Sequence, residues 1–240
     1  MAIPISISEI FNGLKTPEEF LHKAAQHFPG KVVFTTSLGL EDQVITAMIA
    51  RGNLDIAIAT LDTGRLFPST YDLLQRTITR YKVPIKVYFP NVADIEHFVN
   101  TQGINSFYDS VELRKSCCFI RKVEPLRRAL AGNAIWITGI RKEQSENRQD
   151  FPPVEWDTQN QIVKIHPLLD WTEKELWDYI DTQFVPYNPL HKEGYPTIGC
   201  APCTRAVQPG EHPRAGRWWW EQGSQECGLH VTKKTVLEEK

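Results

Sequence analysis

The sequence predicts an α/β protein with a mostly parallel sheet and helices on both faces. Three features carry that expectation. Short β-branched runs recur along the chain, apolar residues at helical spacing lie between them, and turns rich in glycine or polar residues mark the switches. Helical crossovers between strands allow parallel pairing.

Residues 31–36 (KVVFTT) read as the first buried strand. Ser37-Leu38-Gly39 follows as a turn, and residues 41–51 carry Val44, Ile45, Met48 and Ile49 at helical spacing. Gly52-Asn53 is the expected stop of that helix. Residues 54–61 (LDIAIATL) form the second strand, Asp62-Thr63-Gly64 a turn, and residues 68–81 a helix. Residues 84–89 are the third strand, followed by a helix over 92–101. Residues 134–138 (AIWIT) and 162–166 are strands four and five. Thr172 and Glu175 form a capping box that opens a helix over 172–181. In such sheets ligands bind outside the carboxyl ends of the strands. The loops 37–41, 62–65 and 139–148 each follow a strand and are expected to meet in one crevice. From Pro209 onward the chain is polar and punctuated by Pro209-Gly210, Pro213, Gly216 and Gly223-Ser224. The expected division is an α/β domain over 1–208 and a mobile C-terminal segment over 209–240.

A net charge of −2 argues against bulk nucleic-acid binding. No apolar run approaches the ~20 residues of a membrane span. The first residues lack a basic start followed by an apolar stretch, so no secretory signal is expected and the location reads as cytoplasmic. Charge is unevenly spread. Nine basic residues stand against three acidic ones between Arg114 and Arg148. That excess is either a solvated helix face or a site for a phosphate or sulfate group.

Thiols stay reduced in the cytoplasm, so five cysteines are not a disulfide framework. Four sort into two close pairs, Cys117–Cys118 and Cys200–Cys203. A Cys-x-x-Cys loop points two sulfurs at one centre. Adjacent cysteines suit two irons of a cubane better than one zinc, which favours a [4Fe–4S] cluster over zinc or inert buried thiols. Cys227 is left over, in Glu226-Cys227-Gly228-Leu229-His230. Neighbouring His230, Arg214 and Arg217 favour a thiolate nucleophile and Glu226 opposes it. Spacing alone leaves Cys227 either a nucleophile or an incidental thiol. Residues 37–42 (SLGLED) lack the lysine of a Walker A loop; they read as an anion site using the Gly39 backbone or as a plain turn. Asp62 and Thr63 could hold a nucleobase or ribose or simply close a turn. Trp218-Trp219-Trp220 reads as packing onto the domain.

Together, the segments 37–42, LDTGRLFPSTY (61–71), KSCCFIRK (115–122), TGIRKEQS (138–145), GCAPCTR (199–205), PRAGRWWW (213–220) and ECGLH (226–230) resemble the adenylyl-sulfate and phosphoadenylyl-sulfate reductase family. The resemblance implies a nucleotide-binding sheet like those of the adenine-nucleotide α-hydrolases and ATP pyrophosphatases. Members with both extra cysteine pairs carry a [4Fe–4S] cluster and mostly use adenosine 5′-phosphosulfate. Those with only the ECGLH cysteine use its 3′-phosphorylated form. By resemblance, Cys227 attacks the sulfur of adenylyl sulfate, AMP leaves, and thioredoxin (or glutaredoxin) releases sulfite from the thiosulfonate. Lys122, Arg148, Arg214, Arg217 and His230 match the family's phosphosulfate contacts, with Arg141 a further member. Leu38 departs from the family's usual serine, which leaves a main-chain contact through Gly39. The implied setting is assimilatory sulfate reduction and cysteine biosynthesis. Use of the 3′-phosphorylated nucleotide, a zinc-stabilised module with an incidental Cys227, and a homo-oligomer stay open at this stage.

Overall fold

The computed structural model describes residues 5–145 and 148–221. The chain divides into two compact units. The first gathers Met1–Thr60, Ser69–Lys86 and Ala129–Asn188; the second gathers Leu61–Pro68, Val87–Arg128 and Pro189–Lys240.

Six strands form one sheet: β1 (Val32–Thr36), β2 (Ala57–Leu61), β3 (Ile85–Tyr88), β4 (Ile135–Ile137), β5 (Val154–Asp157) and β6 (Ile162–Ile165). Their order is β3-β2-β1-β4-β6-β5. β1 pairs in parallel with both β2 and β4, and β4 with β6. The sheet is thus mostly parallel, as its β-branched strands predict. Val32, Val33, Phe34 and all of β4 are buried, as strands covered on both faces require. The sequence reading named five strands and missed β5, an antiparallel edge strand on β6. Its VEWD segment is half-buried throughout and follows two prolines, so it lacks the apolar run that marks the inner strands.

The α-helices described are α1 (Ile5–Ile10), α2 (Pro17–His27), α3 (Leu40–Arg51), α4 (Pro68–Tyr81), α5 (Val92–Gln102), α6 (Val111–Cys118), α7 (Glu124–Leu130) and α8 (Glu173–Gln183). The Thr172–Glu175 capping box is present, and Thr16 and Glu19 form another before α2. Residues 44–49 of α3 are all buried in the core of the first unit, beside Phe34, Ile137 and Ile165. Its expected stop is corrected in one detail. Gly52 stays right-handed and Asn53, at φ 46°, makes the left-handed turn. In the second unit α6 runs through a π-helical turn, Phe119–Val123, into α7. These helices were not expected from the sequence, because charged residues and cysteines dilute their apolar periodicity. Among the described residues, no helix is long and apolar enough to cross a membrane.

Candidate active site

In the first unit the chain order reverses beside β1, so the loops after β1 and β4 leave neighbouring strands side by side. The left-handed residue of the first loop is Leu38, at φ 63°, and not Gly39. Leu38 N donates to Thr36 Oγ1 at 3.0 Å, which helps hold that turn. Gly39 is the N-cap of α3 and supplies no side-chain cap, so the first N–H groups of the helix keep their pull on an anion. Asp42 folds back one turn. Its Oδ2 accepts from Ser37 N at 2.6 Å and from Ser37 Oγ at 2.7 Å. Burial raises the Asp42 pKa to about 7, against the lowering effect of both Ser37 bonds. A Cβ on Gly139 would lie 2.2 Å from Asp42 Oδ1, so only glycine lets the second loop approach this closely.

Arg141 joins the same two loops. It donates Nε to Glu41 Oε1 at 2.9 Å and Nη1 to Glu143 Oε2 at 3.1 Å and the Trp171 carbonyl at 3.0 Å. Its guanidinium therefore acts first as a tie between loop and helix. Arg148, also buried, donates to Gln144 Oε1. Behind the second loop, His166 Nδ1 sits 2.6 Å from Thr138 Oγ1 and Nε2 3.2 Å from Glu155 Oε1. Burial drives the His166 pKa down to about 4, and its bond to Glu155 only partly offsets this.

The second unit holds the cysteines. Arg114, Cys118 and Lys122 recur at four-residue spacing along α6 and the π turn, as do Cys117 and Arg121. Residues 199–203 form the opposing loop, a 3-10 turn (Ala201–Cys203) anchored by Ala201 N donating to the Arg65 carbonyl at 2.8 Å. Cys117, Cys118, Cys200 and Cys203 are free thiols that line one cavity of about 310 Å³, open solvent included. Arg65, Arg114, Arg121 and Lys122 share its wall. Burial raises the thiol pKa of Cys117, and raises that of Cys203 to about 12. Cys200 differs. Burial is its largest influence and pushes upward, but Lys122, the Thr63 hydroxyl at 3.3 Å, Arg217 and Arg121 together bring its pKa below the ordinary value.

Among the described residues, no three His, Cys, Asp or Glu side chains are grouped closely enough to hold a single ion. Four thiols around a shared cavity are nevertheless the donor chemistry that a cluster of several irons would take. The buried Nε atom of Arg121, which lines the cavity, lacks a hydrogen-bond partner within the described residues, as expected of a donor facing an anionic group. Gly199 makes room for Arg217, since a Cβ there would lie 2.4 Å from its Nη2. Trp218 is buried under Arg217 and Arg114, whereas Trp219 is exposed.

The remaining expectations divide. Asp62 and Thr63 serve the second unit itself. Asp62 Oδ1 accepts from Gly64 N at 2.7 Å and closes the turn, while the Thr63 carbonyl accepts from Arg121 Nη1 at 2.5 Å. Lys122 lines the cavity and Arg214 is buried in the same unit. Loops 37–41 and 139–148 come together in the first unit, whereas 62–65 belongs to the second. Cys227 and His230 lie outside the described residues. Arg65, Arg114 and Arg121 were not singled out as site residues from the sequence. The signal for Arg114 and Arg121 was a spacing of four from Cys118 and Cys117, readable only once the helix is known.

Residues 31–206 match the model of the phosphoadenosine phosphosulfate reductase domain family. The chain belongs to that family. It is 53% identical over 205 residues to the adenosine 5′-phosphosulfate reductase of Sinorhizobium fredii, covering 85% of this chain and 82% of that protein. The enzyme of the same name from Allochromatium vinosum is 53% identical over 200 residues, covering 83% and 78%. A crystal structure of phosphoadenylyl-sulfate reductase from Candida auris superposes with a TM-score of 0.72 at 31% identity, covering 86% of this chain and 99% of that one. The FMN adenylyltransferase of Candida glabrata, 13% identical with a TM-score of 0.56 and covering 97% and 82%, shares the fold alone. The match to the phosphoadenosine phosphosulfate reductase model ends before Arg214, Arg217, Cys227 and His230.

Proposed function

We propose that this chain reduces adenosine 5′-phosphosulfate to sulfite and AMP in assimilatory sulfate reduction, with Cys227 as nucleophile and a [4Fe–4S] cluster on Cys117, Cys118, Cys200 and Cys203. The observation that carries this reading is the gathering of all four of those thiols, with their cations, around one cavity. The relatives' names supply the substrate.

In the first unit, the α3 N-terminus and the glycine-lined notch at Gly39 and Gly139 suit the anionic nucleotide. Arg148 adds buried positive charge there, and Arg141 braces the notch. In the second unit Lys122, Arg214 and Arg217 supply charge-assisted donors for a sulfate that gains negative charge as AMP departs. His230 is assigned to the same group by its place in ECGLH. The Cys227 thiolate attacks sulfur, the S–O bond to AMP breaks, and a Cys–S–SO₃⁻ thiosulfonate forms. A thiolate of reduced thioredoxin or glutaredoxin then attacks the Cys227 sulfur and expels sulfite. The carrier's second thiol resolves the mixed disulfide, restoring Cys227 and leaving the carrier oxidised by two electrons. When bound, the cluster would brace the cavity and concentrate charge beside Lys122. The cytoplasm, where thiols stay reduced, suits this chemistry.

Iron and sulfide analysis of anaerobically purified protein, with mass spectrometry after labelled adenylyl sulfate, tests the reading. The wild type is expected to hold iron and carry a sulfite adduct on the Cys227 peptide. Cys227→Ser is expected to keep the iron and form no adduct. Zinc without iron, or an adduct in the serine variant, would sink it. The likeness to phosphoadenylyl-sulfate reductases favours a second reading, in which the 3′-phosphorylated nucleotide also reacts. Comparing kcat/KM for the two nucleotides decides between them.

A further inference from the structure

The buried group around His166 has no part in the chemistry above. It lies in the first unit, against the loop that leaves β4 at Thr138, carries Arg141 and Arg148, and returns through Pro153 to β5. His166 follows β6 and is fully buried. Its Nε2 lies 3.2 Å from Glu155 Oε1, and Lys164 Nζ lies 3.2 Å from the same oxygen. Burial pushes the Glu155 pKa up, but His166 and Lys164 together bring it below the ordinary value. An ionised carboxylate only accepts, so the imidazole proton sits on Nε2 and Nδ1 accepts from the Thr138 hydroxyl at 2.6 Å. That bond fixes the first residue of the loop. Two more ties hold its return. Phe151 stacks on the imidazole, with 5.7 Å between centroids and 13° between planes. His166 N donates to the Pro153 carbonyl at 2.9 Å. Phe151 N in turn donates to the Arg148 carbonyl at 3.2 Å, which links the stacked ring to the arginine. Three charged groups face the imidazole: Glu155 from β5, Lys164 from β6 and Arg148 from the loop. Burial above all keeps the ring neutral, and Lys164 and Arg148 act in the same direction, against Glu155. A side chain that only filled space would need none of these bonds. Three ties from one residue to both ends of one loop fix where that loop lies.

We propose that His166 is a positioning residue that grips the loop at Thr138, Phe151 and Pro153 and so sets the Arg148 guanidinium for the anionic nucleotide, an inference that rests on the proposed role of Arg148. His166 acts through the loop alone and gives no group to the substrate.

The test is a double-mutant cycle on the full iron-replete chain, read by calorimetry with AMP. Its variants are Arg148→Gln, His166→Gln and Phe151→Leu, with each of the last two also combined with the first. His166→Gln loses the stack and cannot make both ring hydrogen bonds at once. Phe151→Leu leaves those bonds intact and, at a half-buried position, spares the fold, so it carries the test if His166→Gln does not fold. Arg148→Gln is expected to weaken AMP about tenfold through loss of a charged donor. His166→Gln should weaken it about as much, and Phe151→Leu about threefold, because the donor is misplaced. In the Arg148→Gln background neither should cost anything further, since the group they place is gone. With adenylyl sulfate, His166→Gln is expected to raise KM about tenfold and to leave kcat within about twofold. A packing role alone would give additive losses of AMP affinity and a fall in kcat. Additive losses in the double variants overturn the proposal, as does wild-type AMP affinity in folded His166→Gln or in Phe151→Leu. Wild-type affinity in Arg148→Gln instead overturns the role of Arg148 on which the inference stands, so the two failures are distinguishable.

Discussion

Asp42 and His166 are both buried and both shifted, in opposite directions. The folded pKa of Asp42, about 7, stands above its ordinary 3.8. Between those values the folded state binds more protons than the unfolded chain, so Asp42's contribution to stability falls as pH rises. The folded pKa of His166, about 4, stands below its ordinary 6.5. There the unfolded chain binds more protons, so the His166 contribution falls as pH drops. The two slopes oppose each other across the shared window, from about 4 to 6.5. Asp42→Asn keeps an acceptor for the Ser37 N–H and removes one slope. That variant is expected to lose on the order of a few kcal/mol between pH 6.5 and 4 relative to wild type. Urea melts at several pH values measure it. A variant curve parallel to the wild-type one would mean that Asp42 is already ionised in the fold.

At the scale of elements, the loop after the second cysteine pair depends on one close backbone approach. Arg205 N donates to the Gly216 carbonyl at 3.0 Å, and Thr204 bridges Arg217 in antiparallel fashion. A Cβ on Gly216 would lie 2.2 Å from the Arg205 carbonyl oxygen, which is backbone and cannot swing away. Gly216→Ala is therefore expected to cost about 2–3 kcal/mol and to pull Arg217 off Gly199. Gly210→Ala is the control. Its φ of +88° is unfavourable for alanine, but the space around it is open, so about 1 kcal/mol is expected. Equal losses in thermal melts of the two variants would refute the steric account. The same contrast explains what the sequence made legible. β1, β2, α3 and α4 follow from β-branched runs and helical spacing, and the α8 start follows from its capping box. α6 and α7 were illegible because they are held by cysteine packing, the Ser110 cap and arginine pairing, which leave a polar-looking stretch. The cysteine pairs were readable as pairs. Which cations face them was not, since the spacing of four means nothing until the helix is placed. Nothing in the sequence signalled that Asp42 turns back onto Ser37 instead of facing the helix dipole.

The whole molecule joins two units with different sources of order. The first buries a large aliphatic core drawn from β1, β2, β4, β6, α3 and α8. Among the described residues, one buried cluster of the second is Phe98, Phe107 and Trp218 with Cys117, Cys200 and Cys203, and Val123 and Leu126 are buried in the same unit. Half of the first group is thiol, and its three aromatic side chains bury only about 450–750 Å² between them. A small core of this kind would lean on the proposed iron–sulfur cluster, because ligand binding to the folded state adds directly to stability. Removing the proposed iron–sulfur cluster is therefore expected to loosen the second unit and spare the first. Hydrogen exchange on holoprotein and on protein stripped by chelator under mild oxidation reads both at once. Amides of α6 and residues 199–218 should lose protection by about a hundredfold or more, whereas those of β1, β4 and α3 stay near their holo values. Nucleotide binding by the α3 N-terminus should survive in part, measured with AMP, because that notch is built wholly from the first unit. Uniform deprotection across both units would show that the fold unfolds as one cooperative body and that the aliphatic core does not stand alone.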